Sequence, residues 1–262
     1  MELTIKEMQR YQIEMIKELT AICEKHNVPY FLHAGNVIGA IRHGGPIPWD
    51  YDTDFLIPEP HIDRLSRLLH QELSPKFCVD YFLLTGNMQR IFPRIALSGY
   101  SSDVLHVDLF RLIGLPEDLA ARKRIVIRFK IIRRVMILKH IEINEISSMA
   151  RRIFYKLAKL MLQPITCEFL ISRYNNLCSL EHYENAPYVG YLAGKHGVNN
   201  HFPKNTFENH TMIDYAGIPL KIVMNYDFYL RQLYGDYMQL PPQSEQECAM
   251  IKTYKVKEKR NG

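Results

Sequence analysis

Several features that would assign this 262-residue chain to a class at once are missing from it. The five cysteines form no CxxC pair, and an odd number cannot complete a set of disulfides. No uncharged apolar run approaches the roughly 18 residues of a membrane-spanning helix. The first residues include Glu2, Lys6 and Glu7, where a secretion signal would be basic and then apolar. These absences argue against a disulfide scaffold and a membrane-spanning protein, and we expect reduced thiols and a cytoplasmic location.

Positive charge is concentrated in one segment. The net charge is +5, but residues 119–160 carry twelve Lys or Arg and two Glu, so this segment is +10 and the rest of the chain is −5. Apolar residues such as Ile125, Phe129 and Met136 recur between the basic ones at helical spacing. Two interpretations stay open: a helix that lies on anionic lipid, or a solvated basic helix with its apolar side on the core. A nucleic acid partner is not expected, because no binding motif or aromatic stacking platform accompanies the charge.

The order of apolar periodicities predicts an α+β fold, with a mixed sheet flanked by helices. Thr4 and Glu7 form a capping box that begins a helix, which ends near Asn27. The other predicted elements are a strand at 30–32, a helix at 37–43, a strand at 52–57, a helix at 62–73, strands at 79–84, 91–97 and 105–112, a hairpin at 210–223 and a helix at 226–234. We divide the chain into a catalytic core at 1–118, a basic helical insertion at 119–165, and a small C-terminal α/β portion at 166–262 that packs on the core as one domain.

Acidic residues mark the most informative strand. Alternate residues of a strand project from one face, so Asp52 and Asp54 can share a divalent cation, with Asp50 near the strand entry. A further carboxylate, Asp108, lies in another apolar strand. Carboxylates that face one pocket repel one another unless a cation neutralises them, and Mg²⁺ prefers such oxygen ligands together with substrate phosphates. The alternative is that the acidic triplet lies at a surface turn and that Asp108 pairs with a Lys or Arg.

Phosphate-binding candidates surround this strand in the sequence. Gly35 lies at a predicted strand-to-helix turn, where the absence of a side chain lets a phosphate approach the helix N-terminus. Arg42, Arg90 and Arg94 could each bind phosphate oxygens through two N–H groups. Each could instead form an ordinary ion pair.

The run from Tyr30 to Asp54 resembles the signature of the LicD family, which is related to fukutin. In that signature a Gly-Gly-Thr turn leads through Gly-Ala-x-Arg-His to a Pro-Trp-Asp-Asp-Asp-x-Asp block. The stretch 107–110 is similar to the second acidic strand of the family, and the stretch 226–240 is similar to its C-terminal signature. This chain departs from the pattern at Ala34, Asn36 and Tyr51, which replace the first Gly, the Thr and the middle Asp.

The resemblance implies a nucleotidyltransferase-type fold and a phosphotransferase activity. The transferred group would be phosphocholine, or glycerol or ribitol phosphate, moved from a CDP-activated donor to a hydroxyl of a cell-surface glycan precursor. By the same resemblance, Asp52, Asp54 and Asp108 would be catalytic and would hold Mg²⁺ or Mn²⁺. Gly35, Asn36, Arg42 and Arg94 would bind the donor.

Because the acceptor sugar would be carried by a lipid or a glycan, the resemblance also implies peripheral contact with the inner face of the cell membrane. Two other functions stay open: a nucleotidylyltransferase that acts on a small molecule, and a catalytically degenerate scaffold of glycan assembly at the membrane.

Overall fold

The computed structural model describes residues 2–141, 143, 146–194, 197–246 and 254–255. Helices and strands are mixed along the chain, which confirms the α+β class. The helices are α1 (Ile5–Lys25), α2 (Gly35–His43), α3 (Glu59–Glu72), α4 (Phe82–Thr85), α5 (Leu119–His140), α6 (Met149–Met161), α7 (Cys167–Cys178), α8 (Tyr226–Tyr234) and α9 (Gln243–Gln246). The strands are β1 (Glu2–Leu3), β2 (Phe31–Leu32), β3 (Asp54–Pro58), β4 (Phe77–Asp80), β5 (Arg94–Leu97), β6 (His106–Leu115), β7 (Tyr188–Gly190), β8 (His201–Pro203), β9 (His210–Tyr215), β10 (Ile218–Val223) and β11 (Tyr254–Lys255).

A mixed sheet forms the centre of the fold, in the order β2-β3-β6-β5-β4. Strands β3 and β6 are parallel, and β5 is antiparallel to β6. Asp54 of β3 and Arg94 of β5 are both register partners of Asp108 in β6. Since register partners point to the same face of a sheet, the three side chains lie side by side. The far end of β6 continues into a pairing with β7, which in turn pairs with β8.

The capping box at the start of α1 is formed as predicted: the Thr4 hydroxyl accepts a hydrogen bond from the Glu7 backbone, and the Glu7 carboxylate accepts from the Thr4 backbone. Helices α1 and α3 contact each other and the central sheet. Their buried residues share one apolar core with β9, β10 and α8. The predicted division into three parts stays a prediction, although residues from before 119 and after 166 thus contribute to one core.

The basic segment forms two helices, α5 and α6. Helix α5 buries an apolar stripe against α7 and the end of β6 in a second apolar core. Helix α6, all of whose residues are described, buries none of them. The sequence pattern did not distinguish these two placements.

The predicted strand at 79–84 is wrong in its second half. Strand β4 ends at Asp80, whose carboxylate accepts hydrogen bonds from Thr85 and Asn87 and so favours a turn. The chain then forms the short helix α4, which ends at Gly86 in the left-handed conformation, at φ 67°. Helix α7 and strands β7 and β8 had no predicted counterpart. In the described part of the chain, every helix is too short or too polar to cross a membrane.

Candidate active site

The turn from β2 into α2 holds the acidic strand in place through Asn36. This buried side chain donates from Nδ2 to the carbonyl oxygen of Asp52 at 2.9 Å, and its Oδ1 accepts from the backbone N–H of Asp54 at 2.7 Å. Asn36 was predicted to bind the CDP-activated donor, but both polar atoms of its amide are hydrogen-bonded to the backbone of Asp52 and Asp54. Asn36 aligns the residues on either side of Thr53.

Helix α1 supports the same segment from the other side. Gln9 donates to the carbonyl oxygens of Ile47 and Asp50, at 3.0 and 2.8 Å. The buried Gln12 donates to the carbonyl oxygens of Tyr51 and His106 and so connects the residues before β3 to the start of β6. Two glutamines on one helical face thus position the acidic loop. Sequence reasoning missed them, because glutamines one turn apart on a helix carry no distinctive signal.

The carboxylates of Asp50, Asp52 and Asp54 meet at a cavity of about 330 Å³, here called the acidic pocket. Asp52 is exposed, whereas Asp50 and Asp54 are half-buried. The remaining lining comes from both halves of the chain and consists of Ala34, Gly35, Asn36, Phe110, Tyr191, Ala193, Gly194 and Tyr234. The structure therefore brings together four of the predicted site residues, which are Gly35, Asn36, Asp52 and Asp54.

Negative charge accumulates at the floor of this pocket. Burial, followed by the nearby carboxylates of Asp108, Asp52 and Asp50, raises the pKa of Asp54 well above its usual range, and Arg94 opposes this only in part. Of the described residues that line the pocket, none is a Lys or Arg. A ligand that carries positive charge would therefore stabilise ionised Asp54.

Asp108 lies next to Asp54 but faces Arg94. Its Oδ1 is 2.6 Å from Nε of Arg94, and its Oδ2 is 3.3 Å from Nη2. Burial raises the pKa of Asp108 to about 6, although Arg94 lowers it. Burial, with Arg94 and Arg90, lowers the pKa of the adjacent His106 to about 3, so its imidazole is neutral at pH 7. Arg94, and not His106, therefore provides the positive charge beside Asp108, as in the alternative that pairs Asp108 with an arginine.

The other arginine candidates also have protein partners. Arg42 donates to the carbonyl oxygens of Tyr237 and Gln239, at 3.2 and 3.3 Å, and so fastens the chain after α8 to α2. Arg90 pairs with Asp80 and Asp103. Neither Arg42 nor Arg94 is among the residues that line the acidic pocket. Their predicted role as phosphate ligands would require these contacts to rearrange, and it stays a prediction.

The donor set fits a divalent cation only in part. Within the described ranges, no group of three Asp, Glu, His or Cys side chains is arranged to ligate one metal ion. The role of Asp52, Asp54 and Asp108 as metal ligands stays a prediction. Asp52 and Asp54 both line the acidic pocket, and Mg²⁺ commonly takes one or two carboxylates and completes its coordination with water and substrate phosphate.

Gly35 begins α2 at the edge of the pocket, where a Cβ on it would lie 3.5 Å from Oδ2 of Asp50. The N–H groups of Asn36 and Val37 already donate to carbonyl oxygens of the preceding turn, at 3.1 Å. The positive end of the helix dipole, more than free N–H groups, is thus what α2 offers to an anion.

Aromatic rings that sequence reasoning did not assign form the walls of the acidic pocket. Tyr191 packs on His33 with ring centroids 4.4 Å apart, and Phe110 lies 5.6 Å from Tyr191. Burial raises the pKa of Tyr234, and the carboxylates of Asp54 and Asp50 raise it further, so its hydroxyl stays protonated. Phe110 and Tyr234 lie within stretches that the family resemblance had singled out, whereas Tyr191 had no such signal.

The α+β fold thus places an acidic pocket beside α2, the first helix after β2. Residues 27–124 match the family described as LicD/FKTN/FKRP, nucleotidyltransferase domain. The matched segment includes α2, β3 and β6, and with them every predicted catalytic aspartate. The family resemblance seen in the sequence is thereby confirmed.

Characterised relatives extend this similarity. The chain is 26% identical over 266 residues to the lipopolysaccharide cholinephosphotransferase LicD of Haemophilus influenzae, which covers 94% of this chain and 96% of the relative. It is 32% identical over 97 residues to human ribitol 5-phosphate transferase FKRP, which covers 37% of this chain and 19% of the relative. Among solved structures, the antibiotic-resistance factor ANT(2'')-Ia is 16% identical, with a TM-score of 0.28 over 67% of this chain and 98% of that one. That structural likeness is too low to support any conclusion.

Proposed function

We propose that the chain transfers a phospho-alcohol group, with phosphocholine as the first candidate, from a CDP-activated donor to a hydroxyl of a glycan precursor. The observation that carries the proposal is the acidic pocket, in which three carboxylates meet aromatic walls at the start of a helix. The full-length similarity to a cholinephosphotransferase supports the same chemistry.

Asp52 and Asp54 would hold a divalent cation, Mg²⁺ or Mn²⁺, through their carboxylate oxygens. When bound, the cation would neutralise charge on the donor diphosphate and on the CMP that leaves. Asn36 keeps the two aspartates in register through its bonds to their backbone. The positive end of α2 at Gly35 attracts the donor phosphates.

Asp108 would accept the proton of the acceptor hydroxyl as the new phosphoester bond forms. The register pairing of Asp108 with Asp54 supports this role, because it sets both carboxylates on the same face of the sheet. Arg94 holds Asp108 in place and favours its ionised form. Asp108 would thus work as a base, with Arg94 as its positioning partner.

The walls of the pocket favour choline over the polyols. A quaternary ammonium is attracted to the faces of aromatic rings, and Phe110, Tyr191 and Tyr234 line this cavity beside carboxylates. Glycerol and ribitol phosphates carry no cationic group for these rings, although their hydroxyl groups could donate to the carboxylates.

The proposal is tested by measuring CMP release from CDP-choline, CDP-glycerol and CDP-ribitol with Mg²⁺ and a membrane-derived glycan acceptor. We expect release from CDP-choline that is absent in Asp52→Asn and absent after chelation of the metal. Asp214→Asn is the matched control, since Asp214 is an exposed aspartate at the β9–β10 turn, outside the pocket. Failure of every donor with folded wild-type protein would contradict the proposal. A product that carries the nucleotide itself would favour the nucleotidylyltransferase alternative.

A further inference from the structure

Helix α5 turns its largest apolar residues towards the core, whereas helix α6 turns its apolar residues away from the protein. Helix α5 directs Ile125, Phe129 and Met136 inwards, and Phe129 is only 2% exposed. In α6, Phe154 is 62% exposed and Leu160 is 65% exposed. The same kind of sequence thus forms a core helix in one case and a helix with its apolar side uncovered in the other.

The exposed apolar residues of α6 share one side of the helix. They recur at intervals of three and four residues, the spacing of a single helical face. They are Met149, Ile153, Phe154, Leu157, Leu160 and Met161. The half-buried residues of the same helix are Arg152, Tyr155, Ala158 and Lys159. Helix α6 therefore rests on the protein mostly through its polar side, and its apolar side faces away from the chain.

Basic groups surround this apolar side. Of the four Lys or Arg in α6, Arg151 and Lys156 are exposed, and the helix carries no acidic residue. A groove of about 450 Å³ beside it is lined in part by Lys139, Lys156 and Lys159. The exposed side of α5 adds Lys123, Arg124, Lys130 and Arg134, together with the apolar Ile127 and Ile131. The exposed sides of α5 and α6 are called the basic face from here on.

Charge decides which partner fits the basic face. A second copy of the chain would bring its own basic face against this one, so like charges would repel across the contact. An anionic phospholipid surface offers phosphates to the lysines and arginines and an acyl boundary to the apolar residues. A helix with one apolar side, Phe and Leu among its members, and Lys and Arg on the other side is the pattern of helices that lie in the membrane interface.

We propose that the basic face docks on a bilayer that contains anionic phospholipid. The apolar side of α6 lies at the headgroup–acyl boundary, and the lysine groove holds headgroup phosphates. This binding requires neither the acidic pocket nor a donor, so it can be tested apart from catalysis.

The test is flotation of the full chain with vesicles of phosphatidylcholine, with or without phosphatidylglycerol. We expect the wild type to float with the anionic vesicles, less so at high salt, and not to bind the neutral ones. The variant Ile153→Gln/Phe154→Gln/Leu157→Gln should lower the partition coefficient at least about tenfold, because it removes the apolar part of the contact. The matched control is Met212→Gln/Met224→Gln, which replaces methionines with 50% and 57% exposure outside the basic face and should float like the wild type.

A second variant, Phe154→Trp, reports contact directly. Its indole emission should shift to shorter wavelength with anionic vesicles and be quenched by brominated acyl chains, while Trp49 provides a constant background.

Wild-type protein that does not float with anionic vesicles, or a triple variant that floats like the wild type, would overturn the proposal. If the wild type binds no vesicles but forms a dimer in sedimentation velocity, and the triple variant is a monomer, the partner is instead a second copy of the chain. The triple variant should keep wild-type CMP release with a soluble acceptor, so failure of docking and failure of the transferase proposal are distinguishable.

Discussion

The acidic pocket and the basic face handle concentrated charge in different ways. In the acidic pocket a few carboxylates project from a backbone segment whose carbonyl oxygens accept hydrogen bonds from the side chains of Asn36, Gln9 and Gln12. On the basic face many cations extend into solvent from two helices. The interactions of half-buried Asp54 with the neighbouring carboxylates are screened less by water than those between surface cations, each of which contributes little by itself. Single substitutions should therefore matter in the acidic pocket, and only combined substitutions on the basic face.

The largest effect should separate the two basic helices in stability. Phe129→Ala in α5 removes a buried ring that contacts Tyr174 and should lower the free energy of unfolding by about 3–5 kcal/mol. Phe154→Ala in α6 removes an exposed ring and should change it by less than about 0.5 kcal/mol. Urea denaturation of both variants measures the difference. Equal losses would mean that α6 packs against the protein in solution.

This contrast marks a limit of sequence reasoning. Apolar residues at helical spacing predict an amphipathic helix, and both helices have formed. The pattern is the same whether the apolar side meets the core or the surroundings, so both interpretations of residues 119–160 stayed open. Phe129 and Phe154 differ because Phe129 packs in an apolar core with α7, a helix that sequence reasoning did not predict, whereas Phe154 is exposed.

The next effect should appear in catalysis at the acidic pocket. Asp54→Asn keeps the shape of the side chain but removes the charge that would hold the cation. We expect CMP release to fall about 10²–10³-fold, the size of losing one pre-organised electrostatic group at a reacting centre. Thermal melting with and without Mg²⁺ provides a second measurement: the wild type should gain stability from the metal and the variant should gain less. A variant with wild-type activity and the same metal-induced shift would remove Asp54 from the site.

Sequence reasoning recovered the acidic strand but not its surroundings. The predicted strand start at residue 52 is wrong, because β3 begins at Asp54. Asp52 and Asp54 still meet at the pocket, since residues two apart along an extended chain stay close. The pairing of Asp108 with Arg94 depends on which strands become neighbours, and Tyr191 reaches the pocket from a segment more than 130 residues further along the chain. Sequence spacing carries no information about contacts of that kind.

A smaller effect should follow from loosening the support of the pocket. Asn36→Ala removes both bonds to the backbone at Asp52 and Asp54 and leaves a buried N–H without this acceptor. We expect a loss of about 1–3 kcal/mol in stability and about 10–100-fold in CMP release. Asn36→Thr, which introduces the residue of the family signature, should recover part of both, because its hydroxyl can still accept from the strand. If Asn36→Ala lowers activity without affecting stability, Asn36 contacts the donor itself, as the resemblance implied.

The smallest effect tests the turn that begins α2. Ala34 has φ 52° and ψ −122°, a conformation in which a Cβ is strained, and the family signature has glycine there. Ala34→Gly should relieve that strain but adds freedom to the unfolded chain, so we expect a net change in stability between zero and about +2 kcal/mol. Ala40→Gly, inside the same helix, should instead lose about 1 kcal/mol, because its backbone is ordinary helix. If both variants lose stability equally, the turn at Ala34 is not strained. Alanine then holds Gly35 and Asn36 beside the aspartates at no energetic cost relative to the glycine of the family signature.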